Sequence, residues 1–172
     1  MPDHLEPPSD EFDRRRRRVL WKLPSGLYLL GTRAGVRRNL MTLNWAGQLA
    51  VEPKLVGVSV EHDAVSHDLL SAGGVFALSI LRREDRAVVR RFVKPAEDDP
   101  DAGTLSGQPV REAVTGAPIL ASAAAWLDCE VRRPVPLGSH TLWVGEVVDA
   151  GFNGDEDVEV LRMEDTRMNY GG

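Results

Sequence analysis

Three stretches of the chain hold the residues whose types and spacing could do chemistry. The first runs from Asn39 to Trp45, Asn-Leu-Met-Thr-Leu-Asn-Trp, and sets hydroxyl and amide groups among apolar side chains. The second closes the apolar run before Ser59-Val60-Glu61 and continues to Ser66-His67-Asp68. A helix starting there would turn unpaired N–H groups and a partial positive charge toward an anion, with Asp68 competing unless it points away. The third, Gly138-Ser139-His140-Thr141-Leu142-Trp143-Val144-Gly145-Glu146-Val147, places a histidine at a strand start. Its imidazole can hydrogen-bond a ligand in either charge state near neutral pH.

Absences narrow the chemistry further. No G-x-G-x-x-G follows a strand, and there is no G-x-x-x-x-G-K-S/T, so neither common nucleotide-binding loop is supported. There is no G-x-S-x-G elbow, and His4, His62, His67 and His140 include no pair at helical metal-ligand spacing. No metal site is expected. The single cysteine, Cys129, excludes an internal disulfide framework and suits a reducing cytoplasm. The N-terminus lacks the apolar core of a secretory signal, and no run approaches the ~20 apolar residues of a membrane span. A cytoplasmic protein without membrane contact is expected. Five consecutive arginines, Arg14 to Arg18, stand in a chain of net charge −5, directly after Glu11 and Asp13 and without interleaved aromatics. That setting reads as a solvated arm or the polar face of a first helix, not a nucleic-acid site.

The elements that must position these groups follow from pattern. The 172 residues suit one domain over 19–172, after a disordered or loosely ordered polar arm over 1–18 that opens with Pro2, Pro7 and Pro8 among acidic residues. Leu27–Leu30 and Leu40–Leu49 read as a hairpin about Gly35, and Leu55–Val60, apolar on both parities, as a central strand. Ser66 is placed to cap a helix of about two turns that Gly73 and Gly74 close. Val75–Leu81 is a strand, and Glu84–Phe92 puts Val88, Val89 and Phe92 on one helical face. Lys94 to Pro118 reads as a long surface loop. In Ala125–Val131 the residues Ala125, Leu127, Cys129 and Val131 form an apolar face opposite Trp126, Asp128 and Glu130. A turn at Pro134–Gly138 then leads to strands at Thr141–Ala150 and Val158–Met163. Adjacent strands without regular helices between them point to a mainly β, antiparallel barrel or sandwich.

In this order and spacing the three stretches resemble the flavin reductase-like family of FMN-binding split barrels, over roughly Leu23 to Leu161. The resemblance implies an antiparallel split β-barrel of Greek-key type with short helices, working as a homodimer with flavin at the subunit interface. Met41, Thr42, Leu43 and Asn44 resemble the family's Met-Thr-Ala-Asn/Ser stretch lining the flavin, with Leu43 in place of a small residue. Trp45 would stack near the ring, close the dimer, or simply pack. Ser59, Val60 and Glu61 match positions along the ribityl chain and ring edge, where Glu61 departs from a neutral residue. Ser66 and His67 match the phosphate-binding turn. His140 matches a histidine beside the nicotinamide, with Ser139 replacing the usual Asp.

The implied activity is NAD(P)H-dependent reduction of FMN, with FAD possible and NADH or NADPH as reductant, and reduced flavin passing on to a partner monooxygenase. The alternative is a non-catalytic split-barrel module binding flavin or a tetrapyrrole. A third reading, a pyridoxine phosphate oxidase, would cast Arg90, Arg91 and Lys94 as a second phosphate site, though they read more simply as a solvated helix face.

Overall fold

The first hairpin sets the register of the barrel. β1 (Tyr28–Ala34) pairs with β2 (Arg37–Leu43) so that Ala34 faces Arg37, leaving Gly35 and Val36 as a two-residue turn. Gly35 takes the positive φ of 58° that such a turn requires. The structure, a computed structural model, describes residues 9–168. β3 (Ala46–Ala50) follows β2 after only Asn44 and Trp45, and β4 (Leu55–Glu61) pairs back on it. α2 (Val65–Gly73) leads to β5 (Val75–Ile80), and two long strands, β10 (Ala125–Leu137) and β11 (His140–Phe152), complete the main sheet.

Its order is β2-β1-β5-β10-β11-β4-β3, antiparallel throughout. The two edges, β2 and β3, are therefore joined by two residues, and the sheet must curl until those edges meet at Asn44-Trp45. This is a split barrel: closed at one corner, with two unpaired edges diverging from it. Leu30, Val58, Val60, Phe76 and Cys129 fill its interior at no measurable exposure, each large apolar side chain contributing about 1.5–3 kcal/mol. Gly145 on β11 is required there, because a Cβ would lie 2.4 Å from the Phe76 ring. Cys129 is a core thiol, as its alternation implies, and burial followed by the neighbouring Asp128 charge pushes its pKa up to about 12.

Outside the barrel, four short strands form a second sheet: β6 (Asp98–Asp99), β7 (Thr104–Leu105), β8 (Gln108–Arg111) and β9 (Ile119–Leu120). The segment read as a loop thus has structure of its own. It covers a second core around Leu29, Leu40, Phe92 and Leu120, and Arg38 ties it to β2 through Asp98 at 2.8 Å.

Several local expectations are corrected. Residues 10–18, expected in a loose arm, lie in α1 (Asp10–Leu20). Ser9 accepts from the Phe12 N–H, acidic residues occupy the first turn, and Glu11–Arg15 and Asp13–Arg16 pair along the helix; such caps and pairs stabilise an otherwise core-free helix. Residues 1–8 of that arm fall outside the described residues. Glu84–Phe92 forms two 3-10 turns, Arg83–Asp85 and Val88–Phe92, that still bury Val89 and Phe92. Pro134 and Pro136 lie within β10: β5 pairs only as far as Glu130, so the prolines face a free edge and no ladder bond is lost. Trp126 and Asp128 are buried because the 111–119 segment folds back over their face. Val158–Met163 contributes only isolated bridges, Val160 to Arg82 and Arg162 to Gly26.

Candidate functional site

The corner of the barrel gathers the three stretches. The Ser59 N–H donates to the Trp45 carbonyl at 2.9 Å, fastening the β2–β3 connection to β4. β4 and β11 pair with Glu61 opposite His140, Val60 opposite Thr141 and Ser59 opposite Leu142. Strand alternation then sorts the side chains. Val58 and Val60 point inward with Thr141 and Trp143, while Gly57, Ser59 and Glu61 share the outer face with His140 and Leu142.

On that outer face Trp45 lies against His140, ring centroids 5.0 Å apart and planes tilted by 56°. The Ser139 hydroxyl sits 2.8 Å from His140 Nδ1, so the residue standing where an Asp is usual still orients the ring. A hydroxyl can donate or accept here, which fixes the imidazole without fixing its tautomer. Nε2 is the ring nitrogen left to meet a ligand. A cleft of about 730 Å³ opens beside the pair, walled by Asn44, Trp45, Gly47, Leu49, Ser59 and Leu142 from the barrel and by Trp21, Leu23, Met163 and Met168 from the two chain ends.

A second group lies at the start of α2. Ala64, not Ser66, is the N-cap, and it supplies no side-chain acceptor to the first-turn N–H groups. Ser66 is fully buried instead, its hydroxyl receiving the Asn39 amide at 2.9 Å and contacting Thr32 at 3.3 Å. His67 Nε2 is 2.9 Å from the Thr141 hydroxyl, and its ring packs edge-on against His62 and Trp143 at 5.1 and 5.3 Å. Desolvation, with the neighbouring His62, holds the His67 pKa below its ordinary value against the opposing pull of Asp68.

Of the residues singled out from sequence, Asn44, Trp45 and Ser59 line the cleft, His140 packs against Trp45 at its border with Glu61 opposite it in the ladder, and His67 stands at the helix start. Thr42, Leu43, Val60 and Ser66 are buried and turned away. Thr42 donates its hydroxyl to the Val89 carbonyl at 2.6 Å, Leu43 and Val60 join the barrel interior with partly buried Met41 packed against them, and Ser66 serves Asn39. These five can meet a ligand through the main chain alone. β2 pairs only with β1, so alternate N–H and C=O groups along Met41–Leu43 face the open split. Gly47 and Leu49 of β3, and the chain-end residues Trp21, Leu23, Met163 and Met168, escaped the sequence reading. Trp21 and Leu23 carried a signal, as large apolar residues directly after a charged helix; Met163 and Met168 carried none.

The family model for the flavin reductase like domain matches residues 20–172. The chain belongs to that family. This flavin reductase-like chain is 33% identical over 153 residues to the NADH-dependent FAD reductase of Streptomyces globisporus, covering 87% of itself and 80% of that relative. Its fold matches the NADH:FAD oxidoreductase SgcE6 of Streptomyces globisporus C-1027 with a TM-score of 0.75 at 29% identity, over 94% and 93% of the two chains. It also matches the styrene monooxygenase flavin reductase of Pseudomonas putida S12, with a TM-score of 0.71 at 26% identity over 85% and 90%. Against a putative diflavin flavoprotein of Nostoc, by contrast, it spans 24% of the relative's length.

The donor set of this flavin reductase-like chain fits a flavin. Unpaired edge main chain suits the polar rim of the ring, Trp45, Leu49 and Leu142 offer apolar cover, and a helix start without a side-chain cap suits a phosphate. Two groups oppose an anion: the exposed Glu61 carboxylate and Asp68 in the first turn of α2.

Proposed function

We propose that this protein is an NAD(P)H:flavin oxidoreductase that holds FMN, or FAD through the portion the two share, in the Trp45–His140 cleft. The observation that carries the reading is the convergence of Asn44, Trp45, Ser59 and His140 at the corner where the barrel's edges meet, in a family whose relatives bear the names of flavin reductases. The chemistry supplied by a bound flavin is acceptance of hydride from a reduced nicotinamide. The residues here bind and orient. Main-chain groups of Met41–Asn44 and the Ser59 hydroxyl hold the ring and ribityl chain; His67 and the first-turn N–H groups of α2 hold the phosphate. His140, fixed by Ser139 and Trp45, presents Nε2 to the nicotinamide carboxamide. No protein nucleophile is required, and holding two rings at reacting distance removes much of the barrier.

The working form is a homodimer in this reading. Trp21, Trp45 and Leu49 line the cleft yet are 46%, 42% and 50% exposed, and a second copy would cover them. Reduced flavin would pass to a partner monooxygenase, a reading supported by the likeness to a flavin reductase named for styrene monooxygenase. A cytoplasmic setting suits the lone buried thiol, and among the described residues no helix is long and apolar enough to cross a membrane.

The test is anaerobic. Protein is mixed with FMN or FAD, then with NADH or NADPH, and the visible flavin absorbance is followed. Bleaching faster than a protein-free control is the expected outcome, and the faster nicotinamide is the natural reductant. Flavin binding without accelerated bleaching overturns the reductase reading in favour of a binding module.

A further inference from the structure

Arg90, one of three basic residues weighed from sequence as a second phosphate site, does not stand with Arg91 and Lys94 around a common space. It lines a separate open cleft of about 600 Å³ with Arg86 and Arg167, together with Ala87, Thr166 and Met168. Two carboxylates also border this cleft, and both are already engaged. Asp165 accepts from Arg83 Nε at 2.8 Å and from the Arg162 main-chain N–H at 3.0 Å, and Glu164 pairs with Arg162 at 3.4 Å. Among the described residues Arg86, Arg90 and Arg167 have no ion-pair partner. Three arginines without an ion-pair partner thus line one cleft, and planar guanidinium forks match phosphate oxygens.

The basic cleft adjoins the ring cleft. Met168 lines both, and Met163 of the ring cleft directly precedes Glu164 and Asp165. The turn bearing Arg90 is also fastened to the site strand, since the Val89 carbonyl accepts the Thr42 hydroxyl. The flavin's own phosphate is assigned above to the start of α2, so a second cluster of phosphate donors implies a ligand with more phosphate than FMN carries.

We infer that the Arg86–Arg90–Arg167 cleft binds the pyrophosphate of a dinucleotide whose redox ring occupies the adjoining Trp45–His140 cleft. The inference rests on the proposed flavin site for the ring's position. The group held is either the pyrophosphate of the nicotinamide nucleotide or, in FAD, the adenosine-side phosphate, the flavin-side one being held at α2, and the chemistry recognised is the same.

ADP carries this pyrophosphate without either redox ring, so it is the direct probe. Calorimetric titration of the full chain with ADP is compared between wild type and the Arg86→Gln/Arg90→Gln variant, with Arg91→Gln as a control outside the cleft. The expected result is ADP binding that weakens with salt and falls tenfold or more in the double variant, with Arg91→Gln and FMN affinity both within twofold of wild type. A matching loss for FAD but not FMN assigns the pyrophosphate to FAD. A raised KM for the nicotinamide at unchanged FAD affinity assigns it to the reductant. Absence of ADP binding to wild type, ADP affinity unchanged in the double variant, or equal loss of ADP and FMN overturns the inference. Should the double variant fail to fold, Arg167→Gln, outside every named strand and helix, carries the same expectation. Because ADP cannot be reduced, failure here is separate from failure of the bleaching assay.

Discussion

The imidazole of His140 and the indole of Trp45 lie 5.0 Å apart at a 56° tilt, one from the first residue of β11 and the other from the two-residue link between the sheet's edges. Each ring restricts the other, and such a contact is worth about 0.5–1.5 kcal/mol beyond its buried area.

Because the two rings act as a unit, their losses should not add. His140→Ala and Trp45→Ala are each expected to lower kcat/KM for the nicotinamide about tenfold, near 1.4 kcal/mol. The double variant is expected to lose little more than either single one, as coupled neighbours do. A double-mutant cycle on kcat/KM checks this; strictly additive losses would show that the two residues act independently.

Ser66 illustrates a role exchanged between sequence and structure. Its hydroxyl receives the Asn39 amide at full burial, so Ser66→Ala leaves that donor short of a partner and is expected to destabilise the fold by about 1–3 kcal/mol. FMN affinity is expected to stay within about twofold, because the hydroxyl does not face the ligand. Denaturant unfolding and flavin titration on the same variant separate these effects.

His67 gives stability a pH dependence of definite sign. Desolvation, then the neighbouring His62, depresses its folded pKa below the ordinary 6.5. The unfolded chain therefore binds the proton more readily. His67 costs no stability above 6.5, and stability is lost as the pH falls from there through the depressed folded value. Urea midpoints measured from about pH 8 to about pH 5 should fall less steeply in His67→Gln than in wild type. Identical slopes would remove His67 from the account.

The barrel was legible because its strands bury alternating or continuous apolar runs, and the hairpin because Gly35 marks its turn. The outward site residues were legible by family resemblance, and strand parity agrees with it: Ser59 and Glu61 share a parity, and His140 with Leu142 takes the matching one on β11. What sequence could not give was which way the polar residues of the motif point. Thr42 and Ser66 look like ligand-facing hydroxyls until Val89 and Asn39, 47 and 27 residues away, claim them. The prolines of β10 mimicked a turn, since the absence of a second neighbour beyond Glu130 is a property of the whole sheet. The helix over Asp10–Leu20 was legible only as one of two readings of the arginine run, for it buries nothing and rests on capping and ion pairs. Met163 and Met168 reach the cleft through tertiary contact alone.

The central claim is that this chain accelerates hydride transfer by holding two rings in one fixed orientation. The direct measurement is anaerobic stopped-flow reduction of the bound flavin by NADH deuterated separately at each of the two C4 positions. The account predicts that label at one position slows bleaching several-fold while label at the other leaves it unchanged. Equal effects at both positions, or a rate no faster than the protein-free control, would contradict it.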